Sequence, residues 1–207
     1  NIDMNPGMAL INLLFSPIWK DSDLNHFNEK RFIKVIDDAL GNVSKIEKTV
    51  DVLFEKGFKN LFLIGVGGTY SHFLPIQFIS GQLSELPVHA VQAAEFVLQG
   101  NKQFSGDSLC VFCSRSGDTR EIVDAVQYCN NAGATTLAFV CYADTPVCME
   151  STHHFVSFAE DDHLAECFYL QLYAFLFRVL MRFGDFPKYG TFVEQIHGIT
   201  PYLIKAK

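Results

Sequence analysis

The sequence has few basic residues and no cluster of them. Lys and Arg total 16 against 23 Asp and Glu, so the formal net charge is −7. Proteins that bind nucleic acid carry a basic patch or stripe that neutralises phosphates, so we expect no nucleic-acid partner. Charged residues make up only 19% of the chain and hydrophobic residues 49%. This composition predicts a folded domain with a full core.

No long apolar stretch of the sequence is free of polar or charged residues. Residues 164–183 would be long enough to span a membrane. They include Glu166, Gln171, Arg178 and Arg182, which make a position inside a bilayer costly. We therefore expect a helix that is buried in the core or at a dimer interface, and no membrane association.

The N-terminal segment, residues 1–26, has no clear helix or strand periodicity. Its apolar stretch, Met8 to Phe15, is not preceded by basic residues, so we expect no signal peptide. The first residue is Asn1 rather than Met, which we interpret as processing or a fragment. The sequence predicts an irregular segment followed by one domain over residues 27–207.

A second pair of cysteines at zinc-ligand spacing is missing. Cys110 and Cys113 form a C-x-x-C pattern, but residues three apart on a strand face opposite sides of the sheet. We therefore expect neither a zinc site nor a redox motif here. Nothing else in the sequence implies a metal or an organic cofactor. Reduced, buried thiols are typical of cytoplasmic proteins. The six cysteines are Cys110, Cys113, Cys129, Cys141, Cys148 and Cys167.

Apolar runs typical of strands alternate with helical patterns along most of the chain. Such alternation predicts an α/β fold, a parallel sheet with helices on both faces. Two helices, near 32–41 and 43–57, precede the first strand. Later helices are expected at about 68–82, 93–98, 118–132, after Thr145-Pro146, and up to 183, with a tail near 192–204. The predicted strands are 61–64, 88–91, 109–113, 135–140 and 155–158.

Two loops follow strands at the edge where parallel sheets bind ligands. The first, Gly65 to Ser71, contains Gly67-Gly68-Thr69. It lacks the third glycine of the dinucleotide-binding fingerprint, and the chain has no G-K-[ST] triplet for a nucleotide phosphate. These absences argue against a nucleotide ligand.

The second loop, 114–119, combines hydroxyl groups with a glycine at the start of a predicted helix. A helix that begins near Asp118 offers free N–H groups and the positive end of its dipole. Gly117 allows the backbone to approach a ligand closely, and Arg115 could add charge. This arrangement predicts an anion site, most naturally for phosphate. The alternative is that Ser116 only caps the helix. The hydroxyl groups belong to Ser114, Ser116 and Thr119.

Three motifs in this order resemble the sugar isomerase (SIS) domain family. They are G-G-T-x-S after the first strand, Ala93-Ala94-Glu95-Phe96 after the second, and S-x-S-G-x-T after the third. The resemblance covers about residues 30–205 and is closest to the first SIS domain of fructosamine-6-phosphate deglycases. It implies a flavodoxin-like, three-layer αβα sandwich with a five-stranded parallel sheet, and a sugar phosphate as ligand.

The resemblance also implies which residues form the site. It assigns the phosphate to the side chains of Ser114, Ser116 and Thr119 and to the backbone of Arg115. The first loop is implied to contribute Gly68, Thr69, Tyr70 and Ser71. Tyr70 stands where many relatives have a serine, with Ser71 following it. The remaining pocket residues implied are Gly67, Gly117 and Glu95.

The residues that would carry out catalysis are not evident. In the family, the catalytic Glu and His lie in a second SIS domain, in a G-E-F-x-H-G-P segment that this chain lacks. Glu166 and His163, near the start of the long helix, are weak candidates. Charges at that position more commonly complement the helix dipole.

Three functions remain open. The first is an aldose–ketose isomerase or a deglycase that acts on a 6-phosphorylated sugar or Amadori compound. The second is a module that senses a sugar phosphate without catalysis, and the third is an assembly protein that has lost the site. The aromatic-rich helix 164–183 predicts a homodimer.

Overall fold

The computed structural model describes residues 27–159 and 164–206. Residues 1–26, together with His163, lie outside the described residues. Five strands form one sheet, and they are β1 (Asn60–Gly65), β2 (Val88–Gln92), β3 (Ser108–Ser114), β4 (Thr135–Val140) and β5 (His153–Val156). The helices before β3 are α1 (Glu29–Gly41), α2 (Val43–Lys56), α3 (Gly68–Leu83) and α4 (Ala93–Gln99). Those after it are α5 (Arg120–Asn131), α6 (Pro146–Glu150), α7 (Leu164–Phe183), α8 (Tyr189–His197) and α9 (Thr200–Ala206).

All strand pairs are parallel, and the strand order is β2-β1-β3-β4-β5. Ile64 of β1 is paired with Val91 on one side and with Phe112 on the other. The chain therefore turns to one side after β1 and to the other after β2. This order is the flavodoxin-like one, whose ligand crevice lies at the switch point between β1 and β3. The predicted fold class is confirmed.

The strands are buried on both faces, as their continuous apolar runs predict. Leu61 and Leu63 point into a core formed with α1, α2, α3 and α7. Phe62 and Ile64 point into a second core, formed with α4, α5 and α6. The sheet is therefore the middle layer of three.

The cysteines of the C-x-x-C pattern follow the same alternation. Cys113 lies in the core of α7, whereas Cys110 lies in the core of α5. Both are free thiols. The expectation that they face opposite sides of the sheet is confirmed.

Helix α7 is the centre of one helical layer. It packs against α1, α2, α3 and α8. Arg178 of α7 forms a bidentate ion pair with Asp51 of α2, with N–O distances of 3.0 and 2.6 Å. The hydrogen bonds from Arg178 are the main cause that lowers the pKa of the Asp51 carboxyl. In the part of the chain that the structure describes, no helix is long and apolar enough to cross a membrane.

Two predicted boundaries are wrong. Strand β5 spans His153–Val156 rather than 155–158, because its pairing with β4 begins at His153, opposite Leu137. β5 is an edge strand, where polar side chains such as His154 stay exposed, so an apolar run does not mark it. Helix α5 begins at Arg120 instead of near Asp118, because the backbone of Thr119, its N-cap residue, is non-helical with φ −56° and ψ 117°.

Candidate functional site

The loop after β1 packs unusually close to the start of α3. A Cβ atom on Gly65 would lie 2.6 Å from the backbone N of Tyr70, which is closer than any side chain tolerates. Gly67, the residue before α3, has φ +54°, a conformation that glycine adopts without strain. The two glycines allow α3 to begin directly at the carboxyl edge of the sheet.

The Thr69 hydroxyl stabilises this loop from within. Its Oγ1 accepts a hydrogen bond from the Val66 backbone N at 3.1 Å and donates one to the Val66 carbonyl at 2.9 Å. Ser71 is exposed, and its hydroxyl donates to the Gly67 carbonyl at 3.4 Å. The first loop therefore uses its hydroxyl groups on its own backbone.

The loop after β3 divides its hydroxyl groups between two uses. Ser114 is buried, and its Oγ accepts a hydrogen bond from the Gly117 backbone N at 3.0 Å. Ser116 is exposed, and its Oγ lies 3.4 Å from Oγ1 of the half-buried Thr119. Ser114 thus shapes the turn, while Ser116 and Thr119 present hydroxyl groups at the surface.

The start of α5 faces the same space. Thr119 is the N-cap residue, and its side chain makes no capping hydrogen bond. The alternative in which Ser116 caps the helix is therefore wrong. The first N–H groups of a helix have no intrahelical partner and carry its positive dipole end. The Ile122 N–H donates to the Thr119 carbonyl at 3.0 Å, so the N–H groups of Arg120 and Glu121 are the ones that an anion can use.

Gly117 has no room for a side chain. Its φ is +70°, and an added Cβ would lie 2.2 Å from Oγ1 and 2.6 Å from Cβ of Thr145. The Gly117 carbonyl accepts a hydrogen bond from the Val147 backbone N at 3.0 Å. The Thr145 hydroxyl donates to the Tyr142 carbonyl at 3.1 Å instead of capping α6. The segment after β4 thus holds the loop of residues 114–119 in place.

The two loops enclose a cavity of about 230 Å³ between the ends of β1 and β3. Arg115 is the charged residue among its described lining residues. Neither a carboxylate nor an imidazole lines the cavity within the described part of the chain. It can bind an anion, but it offers no side chain suited to general acid–base catalysis. The lining residues are Val66, Thr69, Cys113, Ser114, Arg115, Ser116, Thr119 and Ile122.

Sequence reasoning found the polar residues of this cavity and missed the apolar ones. Val66, Cys113 and Ile122 line it as well. A signal for them exists, because each lies next to a loop motif: Val66 between the glycines, Cys113 before Ser114, and Ile122 in the first turn of α5. These side chains form no hydrogen bond to a ligand, so a pattern of polar residues does not mark them.

Several predicted residues lie away from the cavity lining. Glu95 is exposed in the first turn of α4. Glu166 lines a separate apolar groove together with Tyr169 and Tyr173. Gly117 contributes through its backbone, as described above. The others outside the lining are Gly67, Gly68, Tyr70 and Ser71, all in or near the first turn of α3.

His72 is the titratable residue nearest in sequence to the first loop. Burial lowers the pKa of its imidazole. The ring packs edge-on against Tyr169, with a centroid distance of 4.9 Å, and against Phe168. This contact fits a packing role. Residues 27–159 and 164–206 contain no group of three His, Cys, Asp or Glu side chains that could hold a metal ion.

Comparison with known proteins gives a consistent result. A family model described as "SIS domain" matches residues 56–181. Glutamine–fructose-6-phosphate aminotransferase [isomerizing] 2 of Homo sapiens is 34% identical over 79 residues, which are 38% of this chain and 11% of the human protein. Fructosamine deglycase FrlB of Bacillus subtilis is 24% identical over 115 residues, or 53% of this chain and 35% of that protein.

The fold of the chain also matches that of a solved structure. A crystal structure from Bacillus subtilis, titled as that of a phosphosugar isomerase, superposes with a TM-score of 0.73 at 24% identity. The match covers 81% of this chain and 52% of that one. The chain therefore spans about half the length of this structural relative, and a smaller share of the curated ones.

We expect replacement of Gly117 to disturb the loop specifically. Gly117→Ala places a Cβ against Thr145 and forces a non-glycine residue to positive φ, which should cost about 1–3 kcal/mol of unfolding free energy. Gly41→Ala is the matched control, because no atom lies within 4 Å of its added Cβ. Urea unfolding measures the unfolding free energy of both variants. Equal stabilities for the two variants would contradict the close contact.

Proposed function

The chain belongs to the SIS domain family, and we propose that it binds a sugar phosphate with the phosphate in the cavity between the β1 and β3 loops. The observation that carries this proposal is the pair of outward hydroxyl groups, Ser116 and Thr119, at the uncapped start of α5. Hydroxyl groups and helix N-terminal N–H groups are the donors that a phosphate dianion accepts from.

The size of the cavity supports a phosphate rather than a whole sugar inside it. Its volume of about 230 Å³ is below the roughly 300–1,000 Å³ of typical small-molecule sites. We infer that the phosphate enters the cavity and that the sugar extends over its rim. A phosphate at the end of the sugar, as in a 6-phosphorylated compound, suits this arrangement.

We assign different roles to the residues of the site. Ser116 and Thr119 contact the phosphate, and Arg115 adds positive charge beside it. Ser114 and Thr69 hold the two loops in shape through their own hydrogen bonds. Four residues at the start of α3 would contact the ligand only at the rim. They are the exposed Gly67, Gly68 and Ser71 and the half-buried Tyr70.

We further propose that residues 27–207 form one SIS domain of a phosphosugar isomerase or deglycase. The relatives are named as an isomerizing aminotransferase, a deglycase and a phosphosugar isomerase. Moving a proton next to a carbonyl or imine needs a positioned acid and base. Because none lines the cavity within the described residues, these groups would reach the sugar over the rim.

We place the protein in the cytoplasm because its six cysteines include no disulfide among the described residues.

The first test of the proposal is ligand binding by the 207-residue chain. Millimolar glucose 6-phosphate or fructose 6-phosphate should raise the melting temperature. Ser116→Ala removes a hydrogen bond to a charged group and should weaken binding about tenfold or more. Ser44→Ala, at an exposed serine of α2, is the control and should bind normally. No shift for the wild type, together with no difference for Ser116→Ala, would overturn the proposal.

A sensing module without catalysis is the second candidate. It is favoured because neither a carboxylate nor an imidazole is among the described residues that line the cavity. Incubation with fructoselysine 6-phosphate and measurement of free lysine separate the two functions. A deglycase should release lysine above a heat-denatured control, and Ser116→Ala should slow the release. Ligand binding with no release would instead support the sensor.

We also propose that two copies of the chain associate. The predicted contact, helix α7, is largely covered by α1, α2, α3 and α8. The part of α7 that these helices leave uncovered supports the proposal. Tyr173 of α7 and the exposed Tyr202 of α9 line an apolar groove of about 580 Å³. Light scattering at micromolar concentration should give the mass of a dimer, and Tyr173→Glu should shift it toward that of a monomer. A monomeric wild type would contradict this.

A further inference from the structure

Two apolar grooves meet along α7, and they share the lining residues Leu170, Tyr173 and Ile199. The groove of about 580 Å³ is also lined by Tyr202 of α9, and we call it the Tyr202 lobe. The second has a volume of about 400 Å³ and is lined by Leu203 of α9 instead, so we call it the Leu203 lobe. Neighbouring residues of one helix thus face two different lobes.

Aromatic rings form one wall of the Leu203 lobe. Tyr169 and Tyr173 of α7 line it, and their rings stack with a centroid distance of 5.9 Å and an interplanar angle of 19°. Glu166, at the start of α7, is the charged residue among the described residues of the lining. Stacked rings of this kind offer a large apolar contact area to a segment that packs on them.

Helix α9 forms the opposite wall and has little cover. It is seven residues long, and none of these residues is buried. Helices shorter than about 12–15 residues are marginal in water unless they pack against other elements. Leu203 and Ile204 are half-buried against the main core, and α9 also contacts α1. Further apolar cover in the Leu203 lobe would therefore stabilise this helix.

The described chain begins beside this helix. Phe27 precedes α1, and its ring packs against that of Phe32 with a centroid distance of 5.5 Å. It packs against the same core as Leu203 and Ile204, and α1 itself contacts α9. The residues before Phe27 are therefore attached next to one wall of the Leu203 lobe.

The attached segment includes a strongly apolar stretch. Residues 8–19 contain no charged side chain, and Asn12 and Ser16 are their polar residues. Leaving such side chains in water costs about 25 cal/mol for each Å² of apolar surface. The stretch therefore gains free energy from an apolar surface that it can reach.

The connection to Phe27 is long enough for the stretch to reach the lobe. Residues 20–26 can span up to about 25 Å when they are extended. The part of α7 that lines the lobe runs from Ala165 to Tyr173, a length of about 12 Å. The stretch can therefore lie along the whole of this wall.

We propose that residues 8–19 dock in the Leu203 lobe, between the stacked rings of α7 and helix α9. A segment joined to its site by a short connection is present there at an effective concentration in the millimolar range. It therefore takes the Leu203 lobe ahead of a second copy, and the Tyr202 lobe is left for the association proposed above. The docking depends neither on sugar phosphate binding nor on that association.

Trp19 makes the test direct, because it is the only tryptophan of the chain. In the folded 207-residue chain, its emission maximum should lie at a shorter wavelength than in urea, and acrylamide should quench it less. Both readings should be equal at nanomolar and micromolar protein concentration. Emission equal to that of the unfolded chain would overturn the proposal. A shift that appears only at the higher concentration would also overturn it, because it would assign the lobe to a second copy.

Paired substitutions in α9 test where the segment docks. Leu203→Asp places a charge in the Leu203 lobe, where its desolvation is costly, and should shift the Trp19 emission to the wavelength found in urea. Tyr202→Asp is the matched control, because it puts the same side chain in the other lobe, and it should leave the emission unchanged. Tyr173 lines both lobes and is therefore kept. Unchanged emission in Leu203→Asp would contradict the proposed location.

A second pair of variants leaves every described residue unchanged. Leu13→Asp should release Trp19 and lower the hydrogen-exchange protection of the α9 amides, because the segment then loses its apolar fit. Asn12→Asp adds the same charge at a polar position and should change neither reading. Release of Trp19 with no loss of protection in α9 would place the segment on another surface and refute the proposal.

Discussion

The parallel pairing of β1 with β3 is the constraint on which the candidate site depends. β2 lies on the far side of β1, so β1 and β3 are neighbours in the sheet. The loops that follow these two strands therefore meet with no other strand between them. Parallel strands end at the same edge of the sheet, and a crossover of the right hand then brings a helix start to that edge each time. The cavity lies between the ends of these two strands, so it is a direct consequence of the strand order.

The hydroxyl groups of the two loops serve different purposes. Those of Thr69 and Ser114 bond to their own loop backbones, since a sharp turn leaves amide groups that need partners. The hydroxyl groups of Ser116 and Thr119 are not needed to hold the loop backbone, because the hydrogen bond between Gly117 N and Ser114 Oγ already closes the turn. A motif of three hydroxyl groups therefore contains both a positioning residue and ligand contacts, which the sequence pattern alone does not separate.

The sequence predicted the layers, the strand count and the two loops, because period and turn chemistry are local properties. It failed where a long-range contact decides. Strand β5 is defined by its pairing with β4, not by an apolar run. The need for glycine at position 117 comes from Thr145, which lies close to it only in the folded chain. Neither Glu95, a pocket residue implied by the family resemblance, nor Glu166, a weak catalytic candidate, lines the cavity.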